Sequence, residues 1–183
     1  MTKTILFISA VSLFAAALFI NVCDAKGTGK SNYNNHIEIY QRHVSITDTV
    51  PPDEVMAIIK TVIHSTDNFN IEAVAALYTP NAVVADDEPP YSWNGPTAGI
   101  QWVNAVEQAC KDNHLTKLKG TIESVNVFQQ STDNVYIVVP VSYTGILADR
   151  TRFVAKGAFT FVLRMINGSW LIKSQVWMPK KGM

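Results

Sequence analysis

The sequence predicts an α+β domain in which helices cover one face of a strongly curved antiparallel sheet, giving a cone. Three observations predict it. Helical apolar stripes are confined to residues 51–113, residues from Leu115 onward read as strand, and the order is helices first and strands after. The chain has 183 residues, of which 48% are hydrophobic and 16% charged, enough apolar material for one packed core. Formal net charge is +0, so no basic surplus exists to neutralise phosphates, which argues against a nucleic-acid partner.

The first 25 residues read as a signal peptide rather than part of the fold. Lys3 precedes an apolar run from Ile5 to Ile20, and Ala25 offers a small residue before a cut. The run of 16 residues is shorter than the roughly 20 of a comfortable membrane span. A retained anchor and a lipid-modified Cys23 are the alternatives. The expectation is export to a periplasm or the extracellular space, with no membrane association after cleavage. Residues 26–50 read as a flexible leader or arm, 51–179 as the domain and 180–183 as a tail. Cleavage would leave Cys110 as the single cysteine, without an internal disulfide partner.

Pro51-Pro52-Asp53-Glu54 starts the first helix: proline fits the first turn and acids suit its positive end. Val55, Ile58, Ile59, Val62 and Ile63 form its stripe, and Ser65-Thr66-Asp67-Asn68 ends it. A second helix is expected from Ile71 to Tyr78, stopped by Thr79-Pro80-Asn81, then a brief strand from Ala82 to Ala85. Residues 86–95 read as a loop. Pro96 opens a third helix with Trp102, Val103, Val106, Ala109 and Cys110 on its apolar face and Asn113 as a left-handed stop. Cys110 is expected as a small core residue. The alternation of Leu118–Phe128 slips in phase, suggesting a bulge near Ser124. Val135–Ile146 reads as a strand buried on both sides, with Pro140 marking a bulge or a locally unpaired edge. Arg152–Ile166 is a long strand, Asn167-Gly168 a two-residue hairpin turn, and Ser169–Met178 the return. A twisted, bulged sheet wraps its helices into a cone, whose open end can hold a ligand.

This order, with Ala76-Leu77-Tyr78-Thr79-Pro80-Asn81-Ala82-Val83-Val84-Ala85-Asp86, then Trp93-Asn94-Gly95-Pro96, and the closing Asn167-Gly168-Ser169-Trp170-Leu171-Ile172 with Trp177, resembles the nuclear transport factor 2-like superfamily. Within it, the resemblance is to the SnoaL-like and ketosteroid isomerase-like branch, over about residues 53–178. The resemblance implies a cystatin-like roll; it does not imply one activity, because the scaffold hosts enzymes, binders and scaffolding domains. In the isomerases an aspartate ending the first strand is the general base, and a tyrosine on the first helix and a protonated acid on a late strand donate to the forming enolate. Matched outward from Leu77-Tyr78, the base falls on Asp86 and the tyrosine on Val62, or on Ile63 or His64 after a one-residue slip. Matched back from Trp177, the acid falls on Thr160. The base is kept and both usual oxyanion donors are lost, each worth about 2.7–4 kcal/mol, which argues against steroid-type isomerisation.

One tension stands in the last hairpin. A strict two-residue turn puts Phe159, Phe161 and Leu163 with Trp170, Ile172 and Val176 on one face, and Thr160 with Trp177 on the other. Hydrophobicity turns the first set toward the helices; the resemblance turns the second toward the pocket. Either the greasier face is buried in a homodimer, as is common in this superfamily, or the matching slips by one residue.

The candidate site residues follow. Asp86 heads the Asp86-Asp87-Glu88 cluster, where crowded carboxylates raise one another's pKa, and alternation lets only one of Asp86 and Asp87 point inward. His64 is a second inward candidate at the end of the first helix. Tyr78, Trp93, Trp102, Tyr143, Thr160 and Trp177 are the candidate ligand-binding residues, the aromatics suited to a flat or apolar ligand. The four histidines show no metal-ligand spacing, so no metal or other cofactor is expected. No GxSxG, P-loop or GxGxxG occurs. Three functions remain open: a pocket holding a small, partly apolar molecule; a proton-transferring isomerase, lyase or cyclase with Asp86 as base and His64, Tyr143 or Thr160 as donor; and a dimeric interaction domain using the outer sheet face.

Overall fold

The computed structural model describes residues 50–125 and 127–180. The signal peptide, nearly all of the leader and the last three residues of the tail lie outside the described residues. The elements are α1 (Asp53–Ser65), α2 (Ile71–Val74), β1 (Tyr78–Ala85), β2 (Ser92–Asn94), α3 (Ala98–Asp112), β3 (Thr116–Ile122), β4 (Val127–Gln130), β5 (Asn134–Ile146), β6 (Arg152–Ile166) and β7 (Ser169–Pro179).

The helices form where their stripes predict. In α1, Val55, Ile59, Val62 and Ile63 are buried, and Ser65 and Thr66 turn their hydroxyls back to the Val62 and Ile63 carbonyls, which ends the helix. Asp67 then accepts from the Gly120 backbone N–H at 2.8 Å and ties the end of α1 to β3. The second helix is shorter than its stripe suggests. It stops at Val74, and Tyr78-Thr79-Pro80-Asn81 already belong to β1. The physical reason is pairing: Tyr78 meets Ile172 of β7, and the Leu77 carbonyl accepts from the Ile172 N–H at 2.7 Å, so sheet formation outcompetes helix propensity there. Residues 92–94, expected in a loop, form β2 against the end of β1. At the end of α3 it is His114, not Asn113, that takes the left-handed conformation.

The sheet is mixed, in the order β2-β1-β7-β6-β5-β3, with β4 also on β5. The β1–β7 pair is parallel and the rest are antiparallel. The expected bulge near Ser124 is instead a full break that separates β3 from β4, and both pair with β5. Pro140 sits opposite that break, where only its carbonyl is used, by the Glu123 N–H at 2.9 Å; its missing N–H therefore costs no ladder bond. Strand β5 is not buried on both sides. Val135, Ile137, Val139, Val141 and Tyr143 are buried on the inner face, while Tyr136 on the outer face is 40% exposed.

The last hairpin resolves the tension in the sequence. Asn167 and Gly168 both have positive φ, 50° and 80°, and Ile166 faces Ser169 across the turn. Leu163 then pairs with Ile172 but Val162 pairs with Ser174, which leaves Lys173 as an extra residue bulged out of β7. The bulge inverts the phase of β7. Trp170 and Ile172 before it and Gln175 and Trp177 after it all share the inner face with Phe159, Phe161 and Leu163. No helix among the described residues is long and apolar enough to cross a membrane.

Gly99 of α3 lies against the ring of Tyr78, whose phenol donates to Gln175 Oε1 at 2.6 Å in the core. A Cβ at position 99 would overlap that ring. Gly99→Ala is expected to destabilise the domain by about 1–3 kcal/mol, measured by urea denaturation; a variant within a few tenths of wild type would contradict the packing described.

Candidate functional site

The inner face of the sheet and the underside of α3 enclose an open cavity of about 870 Å³. Its walls are mainly aromatic and aliphatic. Trp102 and Val106 come from α3, Tyr143 from β5, Phe159 from β6, Trp177 from β7 and Trp93 from β2. Phe159 is the hub of this wall, with ring centroids 4.8 Å from Trp177, 5.6 Å from Trp102 and 6.5 Å from Tyr143. The Trp102 and Tyr143 contacts are edge-to-face and the Trp177 contact is tilted; aromatic pairs of this kind add about 0.5–1.5 kcal/mol each beyond burial and hold the rings in place. Ala109 and Val106, on the predicted apolar face of α3, are not sealed into the core; they face the cavity.

The polar groups gather where β1 ends. Asp86 follows the last β1 residue, and its N–H donates to the Tyr91 carbonyl at 3.0 Å, closing the 86–91 loop onto β2. Its carboxylate is held by two donors: Trp102 Nε1 to Oδ2 at 2.7 Å and the Asp87 N–H to Oδ1 at 2.7 Å. Burial pushes the Asp86 carboxyl above the usual carboxylate range, the Trp102 and Asp87 N–H bonds pull it back, and the neighbouring Asp87 carboxyl pushes it up again. Asp87 and Glu88 line the cavity as well. β1 ends at Ala85, so strand alternation does not extend to Asp86 and Asp87. Asp112, Lys156 and Lys180 complete the charged lining.

The remaining sequence candidates are placed as follows. Trp93, Trp102, Tyr143 and Trp177 line the cavity together with Asp86. Thr160 does not: it pairs with Val138 and Val176 on the outer face, one residue out of phase with Phe159. The bulge at Lys173 is the reason, since Trp177 faces inward with Phe159 and not with Thr160. Of the residues matched to the isomerase tyrosine, Val62 and Ile63 are buried in the apolar core and His64 is 51% exposed, its Nδ1 3.2 Å from Asp67 Oδ2, away from the cavity lining. Tyr78 is a core residue whose hydroxyl is spent on Gln175. The Tyr143 ring faces the cavity but its hydroxyl is buried and makes no hydrogen bond. Burial pushes this phenol far up; Thr66 beside it works in the opposite sense but donates its own proton to the Ile63 carbonyl and completes no hydrogen bond to it. Cys110 is also at the cavity wall, and burial raises its thiol, which keeps it protonated. Phe159, Lys156 and Lys180 were not singled out as site residues; only the register of β7 against β6 reveals them. No group of metal-ligating side chains occurs among the described residues.

With the geometry in place, the comparisons with known proteins are informative about the fold. No protein-family model and no curated protein sequence matches the chain. Solved structures do match. LinA aligns at TM-score 0.61 and 13% identity over 70% of this chain and 84% of that one. The hexachlorocyclohexane dehydrochlorinase LinA-type3 from Novosphingobium barchaimii aligns at 0.58 and 14%, over 71% and 90%. A protein of unknown function with a cystatin-like fold from Nostoc punctiforme aligns at 0.56 and 11%, over 71% and 91%. The chain has the α+β, cystatin-like (nuclear transport factor 2-like) fold that these solved structures share.

A pH signature follows from Asp86. Because burial raises its pKa above that in the unfolded chain, the folded protein holds this proton more tightly. The resulting stabilisation is full in acid and is lost as pH rises through the folded pKa. Asp86→Asn, which cannot ionise, is expected to melt higher than wild type at pH 7.5, by about 2–4 °C per kcal/mol relieved. The difference should close near about pH 4, where the unfolded carboxyl also protonates. Calorimetry across this range checks it; a variant that melts lower at pH 7.5 would show that the two donors outweigh burial.

Proposed function

We propose that the protein is an exported pocket protein whose cavity holds a small, partly apolar molecule. One observation carries this reading: an 870 Å³ cavity stays open beside four aromatic rings packed to close contact. Side chains plug the interiors of small domains unless something else fills them, and a mostly apolar pocket with a few convergent polar groups is the usual form of a small-molecule site. Export rests on the sequence of residues 1–25 alone. Ring-bearing hydrophobic compounds are expected to raise the melting temperature of the purified protein. Val106→Trp, which fills the cavity from α3, should abolish that rise without unfolding the protein. No response from any member of a chemically broad panel, with native fold intact, would reject the reading.

A second reading is favoured by the Asp86 carboxylate, which faces the cavity with its pKa raised: a proton-transferring isomerase, lyase or cyclase with Asp86 as general base. A LinA-type dehydrochlorinase shares the fold, so the scaffold accommodates catalysis. Neither His64 nor Thr160 is placed to assist. If this reading holds, Asp86→Asn lowers exchange of the α-proton of an unsaturated ketone into deuterated water by about 10²–10⁴-fold; equal exchange in wild type and variant would reject it.

A further inference from the structure

Trp102 is 2% exposed, and its ring is wedged edge-on against Phe159. Its indole N–H therefore points in one fixed direction, and the group it meets is Asp86 Oδ2 at 2.7 Å. The other carboxylate oxygen meets the Asp87 N–H, which is fixed by the closed 86–91 loop. An ionised carboxylate presents about four acceptor sites, and these two rigid donors fill one on each oxygen. They hold the carboxylate at the cavity wall with acceptor capacity left over. We infer that Trp102 is a positioning residue that presents Asp86 to the cavity as a hydrogen-bond acceptor, and that the ligand is a ring-sized apolar molecule bearing an O–H or N–H donor. This inference rests on the pocket reading above and narrows its ligand class.

The carboxylate accepts only while ionised, so the preference for a donor-bearing ligand depends on pH. The other titratable groups lining the cavity are Asp87 and Glu88 in the loop, Cys110 and Asp112 on α3, Tyr143 on β5, Lys156 on β6 and Lys180 after β7. Of these, Asp87 is the neighbouring acid that opposes the ionisation of Asp86. The Tyr143 and Cys110 protons stay bound at neutral pH, so neither group adds charge there.

A matched pair of probes tests this on the whole purified protein. 2-Naphthol and 2-methoxynaphthalene have the same ring body, but only the first has a proton to donate. By isothermal titration at pH 7.5, 2-naphthol is expected to bind about 10-fold or more tightly. Its advantage should collapse on acidification and vanish in Asp86→Ala, which still binds 2-methoxynaphthalene. Trp102→Phe removes a donor that favours the carboxylate, so the pH at which the advantage appears should move upward. In wild type, the Trp102 indole proton should titrate in the NMR spectrum with the same midpoint, a readout that needs no variant to fold. Equal binding of both probes at every pH, or an advantage that survives Asp86→Ala, overturns the inference and leaves the pocket reading standing. Binding of neither probe overturns both.

Discussion

The arrangement depends on one extra residue in β7. Without the bulge at Lys173, strand alternation would send Trp177 to the outer face with Thr160. The inner wall would then lose the ring nearest Phe159, at 4.8 Å, and Gln175 would leave its place beside Tyr78. Lys173 tolerates this position because a bulged residue leaves the ladder and its long, charged side chain belongs in solvent. The register also shifts on the other side of β7, where a five-residue step along β1 from Tyr78 to Val83 spans only a two-residue step of β7, from Ile172 to Ser174. The bulge against β6 sets the inward phase of Gln175 and Trp177, and the aromatic wall is the result.

Given that wall, the chemistry is a balance around a single carboxylate. Burial against rings disfavours the Asp86 charge, and fixed donors from Trp102 and Asp87 offset part of that cost. Trp102 joins the aromatic wall to the carboxylate. Its ring packs on Phe159 as a core residue would, while its nitrogen serves the carboxylate.

Much of the fold was legible in the residues. The α1 stripe, Asn167-Gly168 and the span of β6 are local signals, and the structure reproduces them. Pro140 was readable for the same reason: a residue without an N–H must sit where no ladder bond is needed. What could not be read was non-local. The β1 segment from Tyr78 to Asn81 has the composition of a helix end and becomes strand only because β7 lies beside it. Asp87 joins the cavity lining beyond the end of β1 at Ala85, where strand alternation gives no guide. The bulge at Lys173 carries no glycine or proline to announce it, so Thr160 took the place that belongs to the neighbouring Phe159. A resemblance can identify a fold and still misplace a site by one residue, and in a strand one residue is the other side of the sheet.

The most direct test of the account is the side of the sheet on which Trp177 lies. Nuclear Overhauser contacts of its indole in solution decide this. The account predicts contacts to the Phe159 and Tyr143 rings and none to the Thr160 methyl. Contacts to Thr160 and Val138, with the indole open to water, would contradict it and remove the wall on which the cavity stands.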